Sequence, residues 1–143
     1  MYLYKHTQRS KILIFIIIFV LLFMIFLMYR FGFNWIGAVV FVLMVIALYV
    51  FNSLTITVYT ERVCASFGPG LIRRIIPFRM IKSAEKVRNK WYYGFGIHLI
   101  PGGQMYNVAG YDAIELKLTN GRVFRIGTDE PDKLLQVIQS QLD

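Results

Sequence analysis

The chain has 143 residues, 57% of them hydrophobic and 17% charged, with a formal net charge of +8 and a mean hydropathy of +0.54. This length allows one ordinary domain with an appendage, and the composition is too apolar for intrinsic disorder, which requires low hydrophobicity and high charge. The single cysteine, Cys64, excludes an intramolecular disulfide framework and a cysteine-based zinc site.

The apolar excess is concentrated near the start. Eighteen consecutive residues from Ile12 to Tyr29 are apolar or aromatic, bounded by Lys11 and Arg30. As a helix this run spans about 27 Å, close to a hydrocarbon core of ~30 Å once the flanking cations snorkel outward. The next charge after Arg30 is Glu61, and within that gap Trp35 to Phe51 is apolar except for Gly37. The pattern predicts two membrane-spanning helices, roughly 11–30 and 33–52, making a hairpin of residues 1–52 ahead of a domain of residues 53–143. A cleaved signal peptide shares the basic start (Lys5, Arg9, Lys11). It does not fit the long apolar run, the missing small-residue cleavage site or the second apolar span that follows. Both segments are apolar all round, unlike the amphipathic helices of a soluble hairpin. The short connector Arg30-Phe31-Gly32-Phe33-Asn34 makes the helices antiparallel neighbours, so both ends of the hairpin emerge on one side. Three cations precede the first helix and one lies in the connector, which places the N-terminus and the domain in the cytoplasm by the positive-inside rule. Neither span carries an ionisable side chain, which argues for an anchor and against a self-sufficient channel or transporter.

Beyond residue 52 the period changes to two. Leu54/Ile56/Val58, Val63/Ala65/Phe67, Ile114/Leu116/Leu118 and Phe124/Ile126 alternate with more polar neighbours, as half-buried antiparallel strands do. Further strands are expected at 72–76, 80–88, 96–100 and 104–108. Asn120-Gly121 predicts a two-residue hairpin with positive φ at both positions, and Gly68-Pro69-Gly70 and Pro101-Gly102-Gly103 predict turns. Thr128-Asp129-Glu130-Pro131-Asp132 reads as a helix start, with a capping residue, first-turn acids and an early proline. That chemistry accounts for the acidic cluster without invoking paired catalytic carboxylates. Leu134, Leu135, Ile138 and Leu142 then form one apolar stripe on a helix of about 130–142. The expected fold class is α+β: a helical hairpin followed by a small β-barrel or bent sandwich of about seven antiparallel strands with one C-terminal capping helix.

Residues 52–142 resemble the bacterial PH-like (pleckstrin-homology-like) domains that follow a pair of membrane helices. The resemblance is carried by Trp91-Tyr92-Tyr93-Gly94-Phe95-Gly96-Ile97, by Tyr106-Asn107-Val108-Ala109-Gly110-Tyr111-Asp112-Ala113 and by Arg125-Ile126-Gly127-Thr128-Asp129-Glu130-Pro131. It implies a PH-like fold at a bacterial inner (plasma) membrane. The better-known PH domains bind phosphoinositides through a basic loop between their first two strands and carry a Trp in the C-terminal helix. Here that loop is Thr60-Glu61-Arg62, without net charge, and the only tryptophans are Trp35 and Trp91, which argues against that binding mode.

The densest chemical signal is basic. Arg73, Arg74, Arg79, Lys82, Lys86, Arg88 and Lys90 face one acid, Glu85, giving net +6 within residues 73–90. In a strand over 81–88, Lys82, Lys86 and Arg88 share a face. The first strand after the hairpin leaves the bilayer and the second returns, so the Gly68-Pro69-Gly70 turn lies near lipid with Leu71 at its tip and Arg73 and Arg74 behind it. The expectation is contact of these cations with anionic headgroups, each contributing ~1 kcal/mol, or with a partner; the bland alternative is a solvated basic face. Trp91, Tyr92, Tyr93 and Phe95, interspersed with Gly94 and Gly96, read either as a partner-binding lip or as a bend with its rings in the core. Nucleic-acid binding lacks any groove-reading motif. Catalytic candidates reduce to His6, His98 and Cys64, on separate segments, and no metal, nucleotide or nucleophile-elbow motif occurs. No cofactor is expected. The sequence therefore points to a membrane-anchored, non-enzymatic scaffold or adapter that binds a protein partner or anionic lipid. The alternative is an accessory subunit of a membrane transport or assembly complex that uses the helix pair as its binding surface.

Overall fold

A computed structural model describes all 143 residues. The chain is α+β, with three helices and nine strands in two open sheets. Strand β1 (Tyr2–Arg9) comes first, and Ser10 then caps helix α1 (Lys11–Phe31) by accepting a hydrogen bond from the Leu13 amide at 3.1 Å. Gly32, at φ +94°, closes α1, a conformation that favours glycine, and the Asn34 side chain caps helix α2 (Trp35–Phe51). No residue of α1 is buried, and only Val50 of α2 is. The 21-residue α1 is long and apolar enough to cross a membrane, whereas α2 is a shorter apolar helix of 17 residues.

The strands that follow are β2 (Ser53–Tyr59), β3 (Arg62–Phe67), β4 (Ile72–Pro77), β5 (Ile81–Arg88), β6 (Gly96–Ile100), β7 (Gly103–Asn107), β8 (Asp112–Leu118) and β9 (Val123–Gly127), with helix α3 (Pro131–Leu142) last. One sheet has the order β1-β2-β3-β4 and the other β5-β8-β9-β7-β6. Their facing sides share one core of 21 buried residues, including Leu54, Ile56, Phe67, Ile114, Leu116, Phe124 and Ile126. Helix α3 packs on β5, β8 and β1, with Leu134 and Ile138 fully buried. The alternating apolar residues identified in the sequence are the ones that line this core.

Three features differ from the sequence expectation. First, residues 2–9, grouped above with the hairpin, form a strand of the domain, with Arg9 paired to Ser53, Thr7 to Thr55 and Lys5 to Thr57. The two helices therefore leave from and return to neighbouring strands at one end of a single sheet. Second, nine strands form instead of about seven, and β7 and β9 run parallel. Strand β9 inserts between β8 and β7, and both β7 and β9 run toward the helix end. Their backbones are so close at Gly103 that any side chain there would strike the Val123 carbonyl. Third, only Gly121 in the Asn120-Gly121 turn has positive φ, at +82°. Its amide donates to the Leu118 carbonyl at 3.1 Å, and the Leu118 amide to the Arg122 carbonyl at 2.8 Å. This is a three-residue connection with glycine at its left-handed position, so Asn120 keeps an ordinary backbone and instead accepts from the Arg122 amide.

Candidate functional site

The helix end of the domain is defined by packing. Phe67, fully buried, places its ring 5.1 Å from Phe51 at the foot of α2 and 4.9 Å from Tyr106 of β7. The Gly68 amide donates to the Ser53 carbonyl at 2.9 Å, and its Cα lies so close to the Val50 and Tyr49 carbonyls that no side chain fits. The Gly68–Gly70 turn is thus seated against the end of α2. Leu71, 73% exposed, projects from it.

Arg73 pairs with Ser66 and Arg74 with Ala65, one and two positions beyond Phe67. At ~3.3 Å per residue both lie within about 7 Å of the level at which α2 ends. Arg73 is on the outer face of the first sheet, whose four strands hold Lys5, Arg9, Arg62, Arg73 and Arg74 and no acid. Arg74 points the other way, its guanidinium 5.9 Å from the Phe124 ring, at one wall of an open groove of about 320 Å³ that also contains Arg122 and Leu99. The remaining cations are dispersed. Arg79 sits in the turn joining β4 to β5, at the end away from the helices, and Lys82 in a bulge of β5. Lys86 reaches Asp132 of α3 at 3.1 Å, Arg88 stacks over Tyr111 at 5.8 Å and Lys90 over Tyr92 at 5.6 Å. The register puts Lys86 and Arg88 on one face, with the Lys82 bulge interrupting the ladder before them.

The aromatic lip is not a bend with all its rings in the core. Residues Trp91–Tyr93 form a single 3-10 turn that leaves Trp91 79% and Tyr92 59% exposed. The segment folds over the outer face of the second sheet. Tyr93 lies 5.9 Å from the Arg125 guanidinium, the Phe95 carbonyl bonds His98, and Asn107 donates to the Gly94 carbonyl. Beneath it Met105, between His98 and Arg125 in the register, is fully buried. Beside it Arg125 donates to Glu115 at 2.6 Å, and both side chains are largely buried.

The acids before α3 do more than begin a helix. Glu130 occupies the cap position without a side-chain capping bond, and Thr128 accepts from the Glu130 amide at 3.0 Å. Instead, Glu130 accepts from the Tyr4 hydroxyl at 2.8 Å, Asp129 meets His6 Nε2 at 2.7 Å, and Gln8 donates to the Gly127 carbonyl. These contacts fasten β1 to the end of β9 and the start of α3. The Tyr4 hydrogen bond, helped by the charges of His6 and Lys133, holds the Glu130 carboxyl below the usual range. Burial, then the hydrogen bond to Glu130 and the nearby carboxylate charges, pushes the Tyr4 hydroxyl well up. Sequence reasoning missed this strand because its inward residues, Tyr4, His6 and Gln8, are largely polar.

Cys64 and His98 lie on the outer faces of different sheets, and burial pushes the Cys64 thiol up despite Arg73 and Arg62 nearby. No three metal-ligating side chains converge. No family model, curated protein or solved structure matches the chain.

Proposed function

We propose that the protein is a two-pass, membrane-anchored, non-enzymatic scaffold whose PH-like domain is held on the cytoplasmic face of a bacterial inner membrane, with Arg73 on anionic headgroups, whereas Arg74 turns into the groove it shares with Arg122. One observation carries this reading: an apolar helix pair, exposed almost throughout, enters and leaves through paired strands of one sheet. In water that surface would be a severe liability; in lipid it is an anchor. Helix α2 spans about 25 Å, at the short end of what crosses a bilayer, and Tyr49 and Trp35 near its ends suit the two interfaces. The folded first sheet adds Arg62, Arg73 and Arg74 to the cations on the domain side. An attached domain needs little intrinsic lipid affinity, so headgroup contact serves to orient it and to present its free edges to a protein partner.

Topology is tested by labelling with an impermeant maleimide on intact cells lacking an outer membrane. Two proteins are compared: the native chain, and Phe33→Cys combined with Cys64→Ser. The expected result is that the thiol introduced at position 33 is labelled from outside, whereas Cys64 of the native chain is labelled only after lysis. The reverse pattern overturns the topology. Headgroup contact is tested by photocrosslinking to anionic lipid, which Arg73→Glu reduces. An unchanged crosslinking pattern removes lipid from the proposal.

A further inference from the structure

We infer that the Trp91–Tyr93 lip, together with Tyr111, is a second contact between the domain and the bilayer that holds α1, with Trp91 and Tyr92 at headgroup depth and Arg88 and Lys90 on lipid phosphates. This rests on reading α1 and α2 as a membrane hairpin.

The topology supplies the placement. Tyr106, beside Phe67 at the foot of α2, is followed by Asn107, whose partner is Gly96, the first residue of β6. Gln8, two residues from Ser10, holds the Gly127 carbonyl, and Gly127 pairs with Ala113 of β8, next to Val87 of β5. The Asn89 amide donates to the Tyr111 carbonyl. Hence β5 ends, β6 begins and β8 begins at the helix end of the second sheet. The two segments joining them, 89–95 and 108–111, start and finish at that end, the first also folding over the outer face of the second sheet through Tyr93. The opposite end carries the Asn120-Gly121 connection and the Phe78–Met80 turn, which meet through the Thr119 amide and the Met80 carbonyl.

The chemistry matches the placement. Trp91, Tyr92 and Tyr111 are 79%, 59% and 46% exposed. Large amphipathic rings left in water lose their apolar burial, whereas at a membrane interface the ring body is buried and the polar atom stays wet. Lys90 forms no ion pair, nor does Arg88, although Asp112 is its cross-strand neighbour; each lies over a ring of the same cluster. A cation beside an aromatic ring at the headgroup level keeps its charge available to phosphate. Leu71, on the other sheet and at the same end, provides a third exposed apolar point. Together these points would support the domain on the surface from both of its sheets.

The two tryptophans make the test direct, since Trp35 sits at the far turn of the hairpin and Trp91 in the lip. Full-length protein carrying Trp35→Phe, and separately Trp91→Phe, is reconstituted in vesicles of phosphatidylcholine and phosphatidylglycerol containing shallow-brominated lipid. In the Trp35→Phe protein, the remaining Trp91 is expected to emit at short wavelength, to be quenched by the brominated lipid and to be shielded from aqueous acrylamide. Arg88→Ala with Lys90→Ala should weaken that quenching, most clearly in raised salt. If Trp91 stays acrylamide-accessible and unquenched while Trp35 of the Trp91→Phe protein is quenched, the anchor stands and the lip faces water or a protein, which overturns the inference. If neither tryptophan is quenched, the hairpin reading fails and this inference with it.

Discussion

The Phe51–Phe67–Tyr106 stack makes a quantitative prediction about how firmly the helix pair is built onto the domain. Phe67 is fully buried and its ring lies 5.1 Å from Phe51 and 4.9 Å from Tyr106. Phe67→Ala removes a buried phenyl group, a loss of about 3–5 kcal/mol, with each aromatic pair included in that figure worth ~0.5–1.5 kcal/mol. Against a total domain stability of roughly 5–15 kcal/mol this removes a large share. The assay is urea denaturation in mild detergent, followed by Trp91 fluorescence in a Trp35→Phe background. A double-mutant cycle of Phe51→Leu and Phe67→Leu then isolates the pair, with an expected coupling of about 0.5–1.5 kcal/mol. Additivity of the two substitutions, or a Phe67→Ala cost below about 1 kcal/mol, would refute the claim that α2 ends in the domain core.

Other expectations follow from the ion pairs and turns. Tyr4→Phe should cost about 1–2 kcal/mol at neutral pH by removing its bond to Glu130. Because the folded Tyr4 hydroxyl titrates above its ordinary value of about 10, the stability it contributes is complete below that pH and is lost as pH rises further. Thermal melts should show this alkaline loss in the native chain and not in Tyr4→Phe. Glu130 is shifted the other way, so its contribution is present above about pH 4.5 and fades as pH falls through its lower folded value; Glu130→Gln should abolish that acid-side dependence in the same melts. Glu115→Gln leaves the largely buried Arg125 without its carboxylate and should cost about 3 kcal/mol in denaturation, much of it recovered when Arg125→Met is added to Glu115→Leu. Gly121→Ala, at φ +82°, should cost about 1 kcal/mol in the same measurement without altering the helix pair.

The sequence located the helix pair, the segments of the strands after it, expected as about seven and found as eight, and α3 to within a few residues. Their apolar residues follow a clear period, and the core face of a strand pair is what that period records. Strand β1 was illegible for the same reason. Its inward side chains, Tyr4, His6 and Gln8, meet carboxylates and a carbonyl instead of hydrocarbon, so no apolar alternation exists to be read. The acids of residues 129–132 satisfied a helix-start pattern, which concealed that two of them hold the other end of the chain. The parallel pairing of β7 and β9 was invisible because alternation shows which face of a strand is buried and says nothing about its neighbour. For the basic segment, charge and strand register are legible from the residues alone, while the fold distributes those cations over two sheets and a corner. Arg73 is placed on the outer face near the foot of α2 through β4, Arg74 turns into the groove with Arg122, and Arg88 and Lys90 reach the helix end through the second sheet.

Strand β1 is synthesised before the helix pair, yet its partner β2 emerges from the ribosome only after both apolar helices. The first sheet therefore cannot close until the chain has passed through the helix pair and come back. If α1 entered a bilayer and α2 failed to return, Tyr2–Arg9 and Ser53–Tyr59 would be stranded on opposite sides of it, and the sheet would lack its edge strand. A protein inserted with the wrong number of crossings would thus expose the apolar inner face of its sheet to quality control. If both helices cross a membrane, the pairing of Arg9 with Ser53 makes correct insertion a condition of folding.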